Sequence, residues 1–363
     1  MDPRIRDHAN VLVDHSTKIQ PGDEVLVSGS PDSEELVVAV AERLGEIGAV
    51  ASISLGSERA QSAYLQAIDA DDIVMSEAQK ARMEHLDALI SIRGGENMYE
   101  SSDVPPEKNA ARAQAMQPVR EVVMDKRWVG TQFPSTGYAQ KAEMSSEAYE
   151  EFVFDAVLKD WDAVRDHQQQ LVDILEDADE VHIRSGETTD IRLSIAGNVV
   201  KNDHGEHNLP GGEVFTAPVP DSVEGEVLFD KPVMVQGREV NGARLVFEGG
   251  EVVEHSAEKN EDVLTSLLET DAGAKRLGEL GIGMNRDIDR FTYNMLFDEK
   301  MGDTVHMAIG MAYEDTVGEG NERNDSAVHT DMIVDMSEDS HIAVDGEVIQ
   351  RDGTFRFEDG FEA

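Results

Sequence analysis

Apolar positions recur with two different periods along this chain, and the change of period divides it. Near the start, residues 23–27 (DEVLV) follow the Pro21-Gly22 turn as a short apolar run, which predicts a buried strand. In residues 32–48, Leu36, Val40 and Leu44 recur every four positions with Val37 and Ala41 beside them, and Asp32 and Glu35 are spaced as a capping pair; this predicts an amphipathic helix. Residues 51–55 (ASISL) then predict a second strand, which makes a parallel strand–helix–strand unit. Residues 86–92 and 120–124 read as further buried strands, and 145–179 as a long helical stretch. Beyond it the period falls to two. Residues 181–184, 190–195, 244–248 and 251–254 alternate, with Gly249-Gly250 as a hairpin turn between the last two. A helix over about 261–277 interrupts them, strands resume at Thr304, and a hairpin is predicted around Asp345-Gly346. The expected architecture is an α/β N-terminal domain with a parallel sheet, residues 1–165, followed by an α+β domain, residues 166–363.

Charge changes this picture more than overall composition does. The 363 residues carry 31 Lys+Arg against 75 Asp+Glu, a net charge of −44. A surface this acidic repels phosphate backbones and anionic lipid, so no nucleic-acid or membrane partner is expected. Lysine is scarcer than arginine, and so much self-repulsion needs screening, which points to a salt-rich cytoplasm. There is no cysteine, and therefore no disulfide, thiol nucleophile or thiolate ligand. Neither a signal-peptide core nor an 18-residue apolar run is present, so a cytoplasmic location is expected.

The residues with most chemical content lie between 279 and 331. Gly281-Ile282-Gly283 lacks the spacing of a phosphate loop and reads as a turn after a helix. No Gly-x-Ser-x-Gly elbow is present. Glu279, Glu299, His306, Tyr313, His329 and Asp331 follow one another, and a His and an Asp two apart on a strand project to one face. Imidazoles and carboxylates without thiolate form a donor set suited to Zn²⁺, Co²⁺ or Mn²⁺. With several carboxylates at hand, one can bridge two ions about 3.5–4 Å apart. In so acidic a chain, a solvated acidic face is the competing reading. Apolar context argues against it: His306 sits in VHMAI, Glu279 beside Leu280 and Ile282, Glu299 after MLF, and charge in such surroundings is costly unless paired or metal-bound.

At these residues the sequence resembles the metallo-aminopeptidases of the thermophilic type, the aminopeptidase T and aminopeptidase S relatives. The matching phrases are ordered: Asn208-Leu209-Pro210-Gly211-Gly212-Glu213, Glu279-Leu280-Gly281-Ile282-Gly283, Asp298-Glu299-Lys300, Thr304-Val305-His306-Met307-Ala308, Tyr313, and His329-Thr330-Asp331. Trp128-Val129-Gly130 and Gln20-Pro21-Gly22-Asp23 extend the likeness upstream. The resemblance implies metal ligands at Glu213, Glu279 (bridging), Glu299, His306, His329 and Asp331, and a tyrosine, Tyr313, lining the site. It implies two divalent ions (Zn, Co or Mn), peptide substrates and a homodimer. The chain is shorter than typical relatives, through trimmed loops such as the one between Tyr313 and His329. Two other readings use the same donors: a two-metal phosphoesterase or amidohydrolase, for which Arg286 and Arg290 would hold phosphate, and a metal- or peptide-binding protein without catalysis.

Overall fold

A computed structural model describes residues 1–362 except 96, 98 and 236. Two compact units emerge, residues 1–159 with 205–211, and residues 160–204 with 212–363. The chain therefore returns briefly to the first unit before entering the second for good.

The first unit is built on a parallel sheet. Strands β1 (Glu24–Gly29), β2 (Val50–Leu55), β3 (Ala88–Arg93) and β4 (Arg127–Gln132) stand in the order β2-β1-β3-β4, and the short Asn208–Leu209 strand adds itself beside β4. Helices α1 (Pro3–Asn10), α2 (Glu34–Ile47), α3 (Glu58–Ala67), α4 (Glu77–Glu84) and α5 (Pro106–Met124) belong to this unit. Helix α2 buries the predicted stripe Leu36, Val37, Val40 and Leu44. It stops at Gly48, whose left-handed φ of 85° lets its N–H return to the Leu44 carbonyl.

Residues 120–124, expected as a strand, are instead the last turns of α5. Pro118 sits inside that helix and hides its period from a short window, but Met116, Val119 and Val123 recur at helical spacing and pack with Leu26 and Leu86. The long helical stretch is two helices, Ser146–Val157 and Trp161–Leu175, the second started by Asp160 accepting from the Ala163 N–H.

A buried histidine closes one corner of this unit. His8 is fully buried, and its Nε2 lies 2.9 Å from Thr131 Oγ1, whose proton is spent on the Leu209 carbonyl at 2.8 Å. Nε2 must therefore carry the ring proton, and Nδ1, buried without a hydrogen-bond partner, cannot accept a second one cheaply. Burial accordingly pushes the imidazole down to about 3. Below the unfolded value of 6.5 the unfolded chain takes up a proton the folded one refuses, so stability falls from pH 6.5 towards 3, by at most about 1.4 kcal/mol per pH unit. Thermal melts at pH 7.5 and 5 are expected to fall less steeply for His8→Leu than for the wild type. Parallel slopes would remove His8 as a cause of acid sensitivity.

The second unit packs two antiparallel sheets over one core. The larger has eight strands in the order 251–256, 243–248, 224–229, 189–194, 180–185, 340–344, 347–351, 354–355. The smaller has five, in the order His329–Asp335, Thr304–Gly310, Leu277–Gly283, Glu213–Thr216, Lys201–Asp203. Ile183, Leu193, Val227 and Phe247 from the first meet Leu280, Ile282, Val305, Met307 and Val334 from the second. The helix expected over 261–277 is only Glu261–Leu268, followed by one tight turn at Gly273–Lys275.

Gly281-Ile282-Gly283, expected as a turn, lies within the fully buried strand Leu277–Gly283. Its glycines mark close approach rather than reversal. A Cβ on Gly281 would stand 2.0 Å from His306 Nε2. Among the described residues, no helix is long and apolar enough to cross a membrane.

Candidate metal centre

Antiparallel register puts the chemistry on one face of the smaller sheet. Residues directly opposite one another share a face, and those two apart on a strand return to it. Glu279 pairs with Ala308 and Ala308 with Asp331; Gly281 pairs with His306; Gly283 pairs with Glu213; Gly310 pairs with His329. One face thus carries Glu213, Glu279, His306, His329 and Asp331, with Gly281, Gly283, Ala308 and Gly310 between them. The opposite face, Leu280, Ile282, Val305, Met307 and Val334, is core. Alternating functional and very small residues leave room for donor atoms to converge.

Two groups form, and they share one residue. Donor atoms of Glu213, Glu279 and His306 lie within 4.8 Å of one another, as do those of Glu279, His329 and Asp331. His306 Nε2 is 3.2 Å from both Glu213 Oε2 and Glu279 Oε1. His329 Nε2 is 3.8 Å from Glu279 Oε2 and 3.5 Å from Asp331 Oδ1. The His329 Nδ1–H donates to the Met311 carbonyl at 2.8 Å, which leaves Nε2 as the lone-pair nitrogen facing the carboxylates. Tyr313 stacks obliquely on that imidazole, ring centroids 4.9 Å apart, and remains 41% exposed.

Lys300 is the functional residue that sequence reasoning passed over. Its side chain is fully buried, with Nζ 3.0 Å from Glu213 Oε1, 3.7 Å from Asp203 Oδ2 and in contact with Glu299. Asp298 delivers it there: its carboxylate accepts from the Thr292 N–H and hydroxyl at 2.7 Å and the Asn294 N–H at 2.8 Å, pinning the turn before residue 299. A signal was present, a lysine inside LFDEKMG in a chain that uses few lysines. Glu299 falls outside both groups and pairs with Lys300. Arg286 and Arg290 are committed to Asp303 with Glu358 and to Asp289, respectively.

The electrostatics are those of a cation site. Glu213 is 5% exposed and Glu279 6%, and burial pushes both carboxyls up, Glu213 to about 8 although Lys300 pulls it down. Burial opposes charge on His306 and His329, yet the Glu279 carboxylate that accepts from His306 and the Asp331 carboxylate beside His329 raise them to about 9. Lys300, despite burial, is held well above its usual value by Glu213, Glu299 and Asp203. Without a cation, protons are drawn to Glu213, Glu279, His306 and His329, while His329 holds Asp331 low despite its burial. Glu213 Oε2, Glu279 Oε2 and Asp331 Oδ1 are buried and accept no hydrogen bond. Buried carboxylate oxygens without a hydrogen bond, beside imidazole nitrogens that a metal would deprotonate, fit a divalent cation of the Zn, Co or Mn kind.

Fold and site together define a metallohydrolase. The chain belongs to the thermophilic metalloprotease (M29) family, whose model matches residues 1–356. It is 29% identical to Aminopeptidase 2 of Geobacillus stearothermophilus, over 97% of each chain. It is 40% identical to Aminopeptidase T of Thermus aquaticus over 40% of this chain and 37% of that one. The solved structure of wild-type AmpT from Thermus thermophilus superposes with a TM-score of 0.86 at 25% identity, covering 97% of this chain and 99% of the other.

Proposed function

We propose that this enzyme removes the N-terminal residue from peptides, using two divalent cations (Zn, Co or Mn) held by Glu213, Glu279, His306, His329 and Asp331. The observation that carries the two-ion reading is the division of Glu279: Oε1 faces His306 and Oε2 faces His329, as a bridging carboxylate would. Glu299 is retained as a ligand whose carboxylate also serves Lys300. The aminopeptidase names of the relatives support the peptide substrate. So does the charge of the site, where acids outnumber Lys300 and suit a free α-ammonium better than a phosphate. The ion pairs of Arg286 and Arg290 weigh against the phosphoesterase alternative.

Bound cations would supply Lewis acidity, polarising the scissile carbonyl and bringing a water's pKa towards about 7. The protein's own part is positioning and proton handling. Asp331, held low by His329 despite burial, receives the substrate's α-amine by charge. Glu213, its carboxyl poised near 8 by burial, takes the proton of the attacking water and returns it to the leaving amine. Partial burial and the carboxylates of Glu279 and Asp331 keep the Tyr313 phenol protonated, so it donates to the oxygen that becomes negative.

The deciding assay is hydrolysis of aminoacyl-p-nitroanilides in molar KCl with Co²⁺, Zn²⁺ or Mn²⁺, before and after chelation. Activity on a free amine, none on the N-acetylated substrate and loss on chelation are expected. Turnover of p-nitrophenyl phosphate alone would reject the peptidase reading. Tyr313→Phe should keep its metal content while kcat falls about 100-fold, the usual cost of one oxyanion donor; loss of metal would make Tyr313 a ligand instead.

The proposal extends to a homodimer in a salt-rich cytoplasm. At −44, approach of two subunits is opposed until salt shortens the Debye length from about 10 Å at 0.1 M to about 3 Å at 1 M. Melting temperature and dimer fraction by light scattering should both rise from 0.1 to 3 M KCl. A flat melting temperature across that range would sink the halophilic reading.

A further inference from the structure

The first unit contains a polar crevice that the proposed peptidase chemistry does not use. In the order β2-β1-β3-β4, the chain leaves β1 towards β2 on one side and returns to β3 on the other. The β1/β3 boundary is therefore a topological switch point, and open α/β sheets bind ligands beyond the carboxyl ends of their strands at such points. A cavity of 540 Å³ lies there.

Its floor is set by register. Ser28 pairs with Ser54 on one side and with Ser91 on the other, so three hydroxyls stand in a row across three parallel strands. One step earlier in the same strands the corresponding positions are apolar on β1 and β3, Val27 and Ile90, both fully buried. None of the three serine hydroxyls has a hydrogen-bond partner among the described residues. Ser30 Oγ is buried and also without a partner, and the absent side chain of Gly94 keeps the space beside it open: a Cβ there would lie 2.9 Å from that oxygen.

Two cations converge on this row. Arg93 is two residues after Ser91 and shares its face of the sheet. Arg112 is four and seven residues before Met116 and Val119, so it continues the inward stripe of α5 where the helix has passed the end of the core. Both arginines line the cavity, and neither has a carboxylate within 4.0 Å among the described residues, in a chain with more than twice as many acids as bases. Glu58 and Tyr138 complete the rim.

We infer that this crevice is a binding site for a small oxyanion-bearing molecule, a phosphate ester or a carboxylate, taken by Arg93, Arg112 and the Ser28, Ser54 and Ser91 hydroxyls. Guanidinium forks match the planar edge of either oxyanion, and the serines donate to its remaining lone pairs. Glu58 would repel a second anionic group, so the rest of the ligand carries hydroxyl or amine rather than further negative charge.

The test is calorimetric titration of the metal-loaded full-length protein in 1 M KCl, free of sulfate and phosphate buffer. The probes are inorganic phosphate, adenosine monophosphate and L-leucine, which separate the phosphate from the carboxylate source. Saturable binding of at least one probe is expected. It should weaken at least tenfold in Arg93→Gln/Arg112→Gln and threefold or more in Ser91→Ala, and persist in Glu279→Ala. The arginines are exposed, so the double variant should melt as the wild type does; if it does not, Ser91→Ala decides. No saturable binding of any probe overturns the inference. So does binding that survives the arginine and serine changes, or binding that disappears only with Glu279, which would assign it to the metal centre. Peptidase activity is not the readout, so this site and the metallopeptidase reading stand or fall separately.

Discussion

Glu279→Ala is expected to abolish peptidase activity and to strip the site of metal. Glu279 is common to both donor groups, so its loss leaves Glu213 with His306 and His329 with Asp331 as separate pairs. Neither pair supplies the ligands that a divalent ion of this kind requires. A drop in kcat/KM of at least about 10³, or roughly 4 kcal/mol of transition-state stabilisation, should accompany the loss of both ions. Metal analysis after gel filtration, paired with the nitroanilide assay, checks it. Because the bland result is a misfolded protein, the variant's melting temperature in chelator must match that of chelated wild type. An active variant retaining two ions would remove Glu279 from its bridging place.

Lys300→Met is expected to destabilise the second unit strongly. Methionine fits the lysine's length but takes away the ammonium shared by Glu213, Glu299 and Asp203. Breaking a buried ion pair from one side costs about 3–5 kcal/mol, because the partners stay buried and lose their counter-charge. For a unit of this size that is roughly 10 °C in melting temperature. Saturating divalent metal should narrow the gap, since an added cation answers the same carboxylates, and the double variant Lys300→Met/Glu213→Gln should be less destabilised than the sum of the two. A melting temperature within 2 °C of wild type, with or without metal, would show that the ammonium is not holding this corner together.

What could be read from the sequence, and what could not, follows from the range of each signal. Leu36, Val40 and Leu44 announce α2 because a helix of that length shows its whole period in one window. His329 and Asp331 were legible as neighbours because two residues on one strand need no tertiary knowledge to share a face. The assignment of 120–124 to a strand failed because Pro118 interrupts the apparent period while the helix continues through it. Gly281 was misread because its cause lies on another strand: only the pairing with His306 explains why no side chain is tolerated there. Lys300 was passed over for a related reason. Its apolar surroundings in LFDEKMG hint at burial, but two of its three acidic partners, Asp203 and Glu213, lie about ninety residues away and no local pattern names them.

The placement of Glu213, Glu279, His306, His329 and Asp331 on one sheet face also restricts how this protein can gain or lose residues over evolutionary time. A one-residue insertion between Thr304 and His306, or between His329 and Asp331, would turn a donor through the sheet to the hydrocarbon side. The connection at 311–328 joins these two strands at their ends, and its part beyond Tyr313 can be cut back or extended while both registers stay intact. Relatives that differ in length should therefore align without gaps through these two strands and concentrate their insertions in that connection. Among the described residues of the smaller sheet, the bulge between Leu277 and Glu279 accommodates an extra residue inside a strand, upstream of the ligand which that strand carries.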